Sequence, residues 1–186
     1  MANTIRSFIA IKLSEDIRSV LKDIQNQLKE INCSIKWIEP KNLHLTLKFI
    51  GNIEINKLNA VKRIIKMIPT NNISIQLDSI KLFPNIKKPR IIWVGVTEKT
   101  PVLINIANYL NETLLTIGIP KEEKAFTPHI TIGRVKTSKN LHELIECMEQ
   151  ISIPKGIKQK ITNITLFKST LTPTGPIYEE IYIRAI

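Results

Sequence analysis

Cysteine and histidine are both scarce in this 186-residue chain, with two of the first and three of the second. Cys33 and Cys147 lie far apart and lack Cys-x-x-Cys spacing, which excludes a disulfide framework or a zinc ribbon and leaves two free, buried thiols. No His-Glu-x-x-His and no carboxylate-rich cluster occurs, so the sequence offers no donor set for a hydrolytic metal, and no cofactor is expected. Apolar runs fall well short of the roughly 18 residues that a membrane span needs. The N-terminal MANTIRSFIAIKL breaks its short apolar stretch with charges, unlike a secretory leader. A monomer of the cytoplasm, away from membranes, is the expectation. Carboxylates are few as well: 16 Asp and Glu stand against 27 Lys and Arg, for a formal charge of +11. Such an excess favours polyanionic partners, nucleic acid first, although a lysine-rich solvated surface has the same composition.

What is present is more specific. Two of the three histidines head the same pattern, His44-Leu45-Thr46-Leu47 and His129-Ile130-Thr131-Ile132. At this composition a matched pair arises by chance about once in a thousand chains. In an extended strand the His and Thr of each copy share one face and the apolar pair shares the other.

The copies are 85 residues apart, and the same offset superposes Phe8 to Lys12 on Trp93 to Thr97, both apolar strand candidates. The helical pattern Glu15 to Ile31, after the N-cap candidate Ser14, falls on Pro101 to Ile117, which is followed by Gly118. Each tetrapeptide is then followed by a helical pattern, Leu58 to Ile68 and Leu141 to Ile151. Strand-like alternation comes next at Ile73 to Leu77 and at Ile161 to Ser169, with a last strand at Ile177 to Ile183. The expectation is an α+β fold of two pseudo-symmetric lobes, approximately 1–86 and 87–186, in one bilobal domain. Mainly antiparallel sheets backed by helices would flank a central cleft, with the join in the Pro/Lys-rich stretch Phe83 to Arg90.

Two imidazoles at one site can divide general-base and general-acid work near neutral pH, as in-line displacement at a phosphodiester requires. A Thr hydroxyl on the same strand face can donate to a phosphate oxygen as charge develops.

With those residues established, the chain resembles the 2H phosphoesterase superfamily, and within it the RNA 2′,3′-cyclic phosphodiesterases, also known as bacterial-type 2′-5′ RNA ligases. The resemblance runs through RSFIAIKL, WIEPKNLHLTLKFIG, RIIWVGV, AFTPHITIGR and LFKSTLTPTGPIYEEI. It implies a bilobal 2H fold and metal-independent hydrolysis of RNA 2′,3′-cyclic phosphate termini to a 2′-phosphate. It further implies His44 as proton donor, His129 as proton acceptor, and Thr46 and Thr131 as holders of the non-bridging oxygens. Some relatives also join tRNA halves through a 2′-5′ linkage without ATP, so RNA with cyclic-phosphate ends, tRNA fragments included, is the expected partner. Alternatives are a non-catalytic basic RNA-binding module, and a 2H phosphoesterase acting on small cyclic nucleotides or 2′-5′ oligonucleotides.

Arg134 matches the family's basic residue after the second motif, although strict alternation gives it the buried parity of Ile130 and Ile132. A bulge at Gly133 would turn it toward the cleft. Lys48 has the parity of His44 and Thr46, whereas Phe49 has that of the core. Trp37 and Trp93 are expected in the core and His142 on a helix surface, while Ser169 and Tyr178 carry no chemical signature of their own.

Overall fold

In the computed structural model, residues 3–69, 73–97, 100–137 and 139–186 are described. Nine strands form one sheet in which every pairing is antiparallel: β1 (Thr4–Lys12), β2 (Ile35–Trp37), β3 (His44–Glu54), β4 (Ser74–Phe83), β5 (Ile91–Thr97), β6 (His129–Val135), β7 (Lys158–Lys160), β8 (Asn163–Thr172) and β9 (Gly175–Ala185). Their order is β7-β4-β5-β6-β3-β1-β8-β9, with β2 on the free end of β6. Four helices complete the fold: α1 (Glu15–Lys29), α2 (Leu58–Lys66), α3 (Thr100–Leu115) and α4 (Leu141–Gln150).

Helix ends follow local chemistry. Ser14 caps α1 by accepting from the Ile17 N–H, and the run ends on Lys29. Past α3, Gly118 takes φ +81°, a left-handed turn that costs glycine little, and the Ile119 N–H closes back on the Leu114 carbonyl. The apolar stripes Ile17-Leu21-Ile24-Leu28 and Leu103-Ile106-Leu110-Leu114 are fully buried, and they share one core with Ile9, Ile11, Leu45, Ile130 and Val94 of the sheet. Each such side chain contributes about 1.5–3 kcal/mol by leaving water.

The 85-residue repeat is visible as β1-α1-β3-α2-β4 followed by β5-α3-β6-α4-β8, but the sheet divides differently from the sequence. One half is β3-β1-β8-β9, and the other is β6-β5-β4-β7 with β2. The third strand of each repeat therefore lies in the half built by the other, so neither lobe coincides with 1–86 or 87–186. The stretch 83–90 forms the β4–β5 turn within one half, closed by the Arg90 N–H on the Phe83 carbonyl. The two halves meet where β3 pairs with β6, at Leu45 and Ile130.

Candidate active site

The Leu45–Ile130 pairing joins the central residues of the two tetrapeptides. Both side chains are wholly buried on the helix side, so His44, Thr46, His129 and Thr131 lie on the other face, each half-buried. Antiparallel geometry sets His44 across from Thr131 and Thr46 across from His129. Continued from that pair, the register puts the histidines at opposite corners of a diamond and the threonines at the other two, diagonal neighbours in such a ladder being about 7–8 Å apart, and the charge of His129 acts on His44. The motifs lie side by side at the centre of the sheet.

Each imidazole is held in the same way. His44 Nδ1 lies 2.7 Å from the Asn42 carbonyl oxygen, and His129 Nδ1 lies 2.7 Å from that of Thr127. The 85-residue offset carries the carbonyl as well as the histidine. Since a carbonyl only accepts, Nδ1 holds the proton and Nε2 is left for chemistry. Each ring also rests on an aromatic residue from the neighbouring strand, Phe8 at 4.8 Å from His44 and Trp93 at 5.4 Å from His129, and these too correspond under the offset. The environments nevertheless differ. Burial pushes the His44 pKa below its ordinary 6.5, with the positive field of His129 adding to the effect and the Asn42 bond opposing it.

Two β-bulges correct the simple parity reading. In β3, Ile9 pairs with Lys48 and Ala10 with Thr46, which leaves Leu47 as an extra residue. In β6, Ile92 pairs with Gly133 and Trp93 with Thr131, which leaves Ile132 extra. Each bulge inverts the alternation beyond it. Hence Lys48, expected on the histidine face, is 2% exposed, and Phe49, expected in the core, is 58% exposed. The Lys48 ammonium donates to Asn111 Oδ1 at 2.6 Å and to the Pro120 carbonyl at 2.9 Å, with Glu122 at 3.9 Å. Arg134 is exposed with the parity of the histidines, because the bulge falls at Ile132–Gly133.

Sequence reasoning missed two further residues beside the histidines. Tyr178, left out for want of a signature, meets the His44 ring edge-on at 5.4 Å and 88°. Burial raises its phenol pKa, while the charges of Arg134 and Arg6 pull the other way, so Arg134 acts on the same space. Trp93, expected in the core, stands on the histidine face opposite Thr131. Phe8 and Tyr178 meet His44, and Phe49 and Phe167 pack on Phe8 behind them, so four of the chain's ten aromatic residues form one cluster beside a single histidine, an excess that the low aromatic content of the sequence makes visible. Trp37 packs against the core from β2. His142 is exposed on α4 beside Glu146, away from this group. A cavity of about 480 Å³ opens next to His44 and Tyr178. Among the described residues, no three His, Cys, Asp or Glu side chains converge as a metal donor set, and no helix is long and apolar enough to cross a membrane.

Comparison with known proteins agrees with this architecture. The family described as LigT-like phosphoesterase matches residues 11–93 and again 94–178. Over 176 residues the chain is 37% identical to the RNA 2′,3′-cyclic phosphodiesterase of Methanocaldococcus jannaschii, covering 95% of this chain and 98% of that one. Over 190 residues it is 35% identical to the protein of the same name from Aquifex aeolicus, covering 96% and 97%. Among solved structures, TT0787 of Thermus thermophilus superposes with a TM-score of 0.81 at 23% identity, over 97% of both chains. Escherichia coli LigT complexed with 3′-AMP superposes at 0.79 and 23% identity, over 100% of this chain and 99% of that one. The chain belongs to the LigT-like phosphoesterase family of the 2H superfamily.

Proposed function

We propose that the protein hydrolyses RNA 2′,3′-cyclic phosphate termini to 2′-phosphates by imidazole acid–base catalysis without a metal. The observation that carries this reading is the diamond set by the Leu45–Ile130 pairing, because a phosphate centred over it has a histidine at each end of one diagonal. In-line displacement needs that disposition, with base and acid on opposite sides of phosphorus. His129 Nε2 takes a proton from water, the hydroxyl oxygen bonds to phosphorus, and the bond from phosphorus to the 3′ oxygen breaks. His44 Nε2 protonates that departing oxygen. Thr46 and Thr131 donate to the non-bridging oxygens at the other corners, and Arg134 neutralises charge beside them. A lowered pKa makes the His44 imidazolium a stronger acid, and the anionic substrate favours its protonated form once bound. A 5′-hydroxyl in place of water, deprotonated by His129 and bonding to phosphorus as the 3′ oxygen departs with a proton from His44, gives 2′-5′ ligation of RNA ends such as tRNA halves.

The test is turnover of an oligoribonucleotide ending in a 2′,3′-cyclic phosphate. His44→Ala and His129→Ala should each cost at least about a hundredfold in kcat with unchanged circular dichroism, and EDTA should leave the wild type active. NMR should locate the product phosphate on the 2′ oxygen. Full activity in either variant refutes the mechanism. RNA binding without turnover indicates a non-catalytic module, and preference for adenosine 2′,3′-cyclic phosphate or 2′-5′ oligoadenylate indicates another branch of the superfamily.

A further inference from the structure

Cations around the two ends of the site are handled differently. Near His44 most are neutralised: Lys12 pairs with Glu180, Arg18 with Glu15 and Lys41 with Glu39, and Arg6 alone of those near Tyr178 on that side lacks a carboxylate among the described residues. At the far end of β6, Lys36, Arg90, Arg134 and Lys136 are all exposed, and none has a carboxylate partner among the described residues. Their arrangement is set by backbone pairing. Lys36 of β2 lies directly opposite Arg134 of β6, Lys136 follows two residues beyond Arg134, and the Val135 N–H donates to the Arg90 carbonyl at 3.0 Å. Pro89, Arg90, Arg134, Val135, Lys136 and Thr137 line a depression of about 420 Å³, and Lys36 borders it from β2 as the residue opposite Arg134.

Like charges directly opposite across an antiparallel pair destabilise a sheet, and here no carboxylate among the described residues relieves them. An anion between them would. The patch begins at Arg134, beside the reacting phosphate, and runs off the end of β6 to Lys136, about 6.7 Å on for extended backbone. That step is of the order of the spacing between neighbouring phosphates of a nucleic-acid strand.

We propose that Lys36, Arg90 and Lys136 form a second phosphate subsite, which grips the RNA one nucleotide upstream of the cyclic terminus and makes an RNA chain end, not a mononucleotide, the preferred substrate. This rests on the cyclic-phosphodiesterase reading for its chemistry but not for its binding. The subsite predicts a gain for oligonucleotides that disappears with salt, since each phosphate contact on a single strand contributes about 0.7 to the salt slope.

The experiment compares wild type with Lys36→Gln/Arg90→Gln/Lys136→Gln on a pentaribonucleotide ending in a 2′,3′-cyclic phosphate and on adenosine 2′,3′-cyclic phosphate. A second triple variant, Lys22→Gln/Lys66→Gln/Lys121→Gln, removes the same charge from exposed positions elsewhere. The subsite variant should lose tenfold or more in kcat/KM on the pentamer, flatten its salt slope by about 0.7, and leave the mononucleotide unchanged. The control variant should retain the pentamer preference. Binding of the pentamer ending in a 2′-phosphate, read by fluorescence anisotropy, should weaken in parallel while binding of adenosine 2′-monophosphate stays constant. Equal losses on both substrates, equal losses in both variants, or an unchanged pentamer affinity and salt slope overturn the subsite. Absence of wild-type turnover on both substrates overturns the activity reading instead, and the anisotropy arm then decides the subsite alone.

Discussion

Phe49 stands in β3 where Arg134 stands in β6: they are 85 residues apart, and each is the first exposed residue beyond a bulge, on the face that carries the histidines. One half of the site thus offers a cation and the other an aromatic ring. Phe49 lies 6.3 Å from Phe8, which in turn packs on His44, so under the proposed function its exposed ring is offered to the terminal base. Stacking of a base on an aromatic side chain is worth about 1–3 kcal/mol. Phe49→Ala should therefore raise KM for adenosine 2′,3′-cyclic phosphate roughly tenfold, with a smaller change in kcat, and Phe49→Trp should restore it. Steady-state kinetics on the three proteins measures this, and an unchanged KM in Phe49→Ala removes the ring from base recognition.

Burial of the His44 imidazole fixes the sign of two pH effects. Its folded pKa lies below the ordinary 6.5, so as the proton donor it loses its proton early. The alkaline limb of kcat/KM, which reports the free enzyme, should fall below about pH 6.5. Tyr178→Ala, which opens the ring to water, should move that limb upward, and Tyr178→Phe should leave it in place. Stability follows the same proton. The unfolded chain takes it up first, so this contribution is intact above about 6.5 and declines as pH falls through the lowered value. NMR titration of the His44 ring together with a pH–rate profile tests both; a ring titrating above 6.5 contradicts the burial argument.

Periodicity carried much of the architecture in the sequence. The α1 stripe, its Ser14 cap and the Gly118 stop all correspond to structure, because each depends on residues within a few positions of one another. The faces of His44 and Thr46 follow from the same period of two. Exchange of β4 and β8 between the halves did not, since pairing across the sheet leaves no local signature. Nor did the bulge at Leu47–Lys48, where a single extra residue sends a lysine inward and a phenylalanine outward against pattern. Gly133 hinted at its counterpart because a residue without a side chain marks a place where backbone conformation or clearance is special. Tyr178 was invisible for a third reason: its importance comes from β9 being folded next to His44 through β8 and β1.

Lys48 makes the inverted register dependent on charge. Its ammonium, with a pKa lowered by burial and raised in part by Glu122, ties the β3 bulge to Asn111 of α3 and to the Pro120 carbonyl. Glu122 in turn accepts the Phe49 N–H at 3.1 Å. Lys48→Met keeps the volume but takes the donor from the Pro120 carbonyl, while Asn111 Oδ1 keeps the Glu122 N–H at 3.3 Å. An acceptor left without its donor costs about 1–3 kcal/mol when buried, and this one is partly buried, so a loss of about 1–2 kcal/mol in urea unfolding is expected. The same variant should raise KM more than it lowers kcat, because Phe49 moves while the histidines keep their carbonyl partners.

Gly133 tests the other bulge from the steric side. A Cβ built there meets Ile35 Cγ2 at 2.9 Å and Trp37 Cε3 at 3.1 Å, closer than carbon atoms pack, so β2 must shift away from β6. The bulge is also held from α1, where the buried Gln25 donates to the Ile132 and Ile38 carbonyls at 2.8 Å each, which restricts how β6 itself can yield. Overpacking of this kind costs about 1–3 kcal/mol. Gly133→Ala should therefore lower the urea midpoint and, by moving Arg134 one residue away, reduce kcat/KM on the cyclic-phosphate RNA. The double variant Gly133→Ala/Trp37→Leu, which clears the aromatic edge, should recover part of both. Recovery of stability without recovery of kcat/KM would show that the bulge governs folding here but not the placement of Arg134.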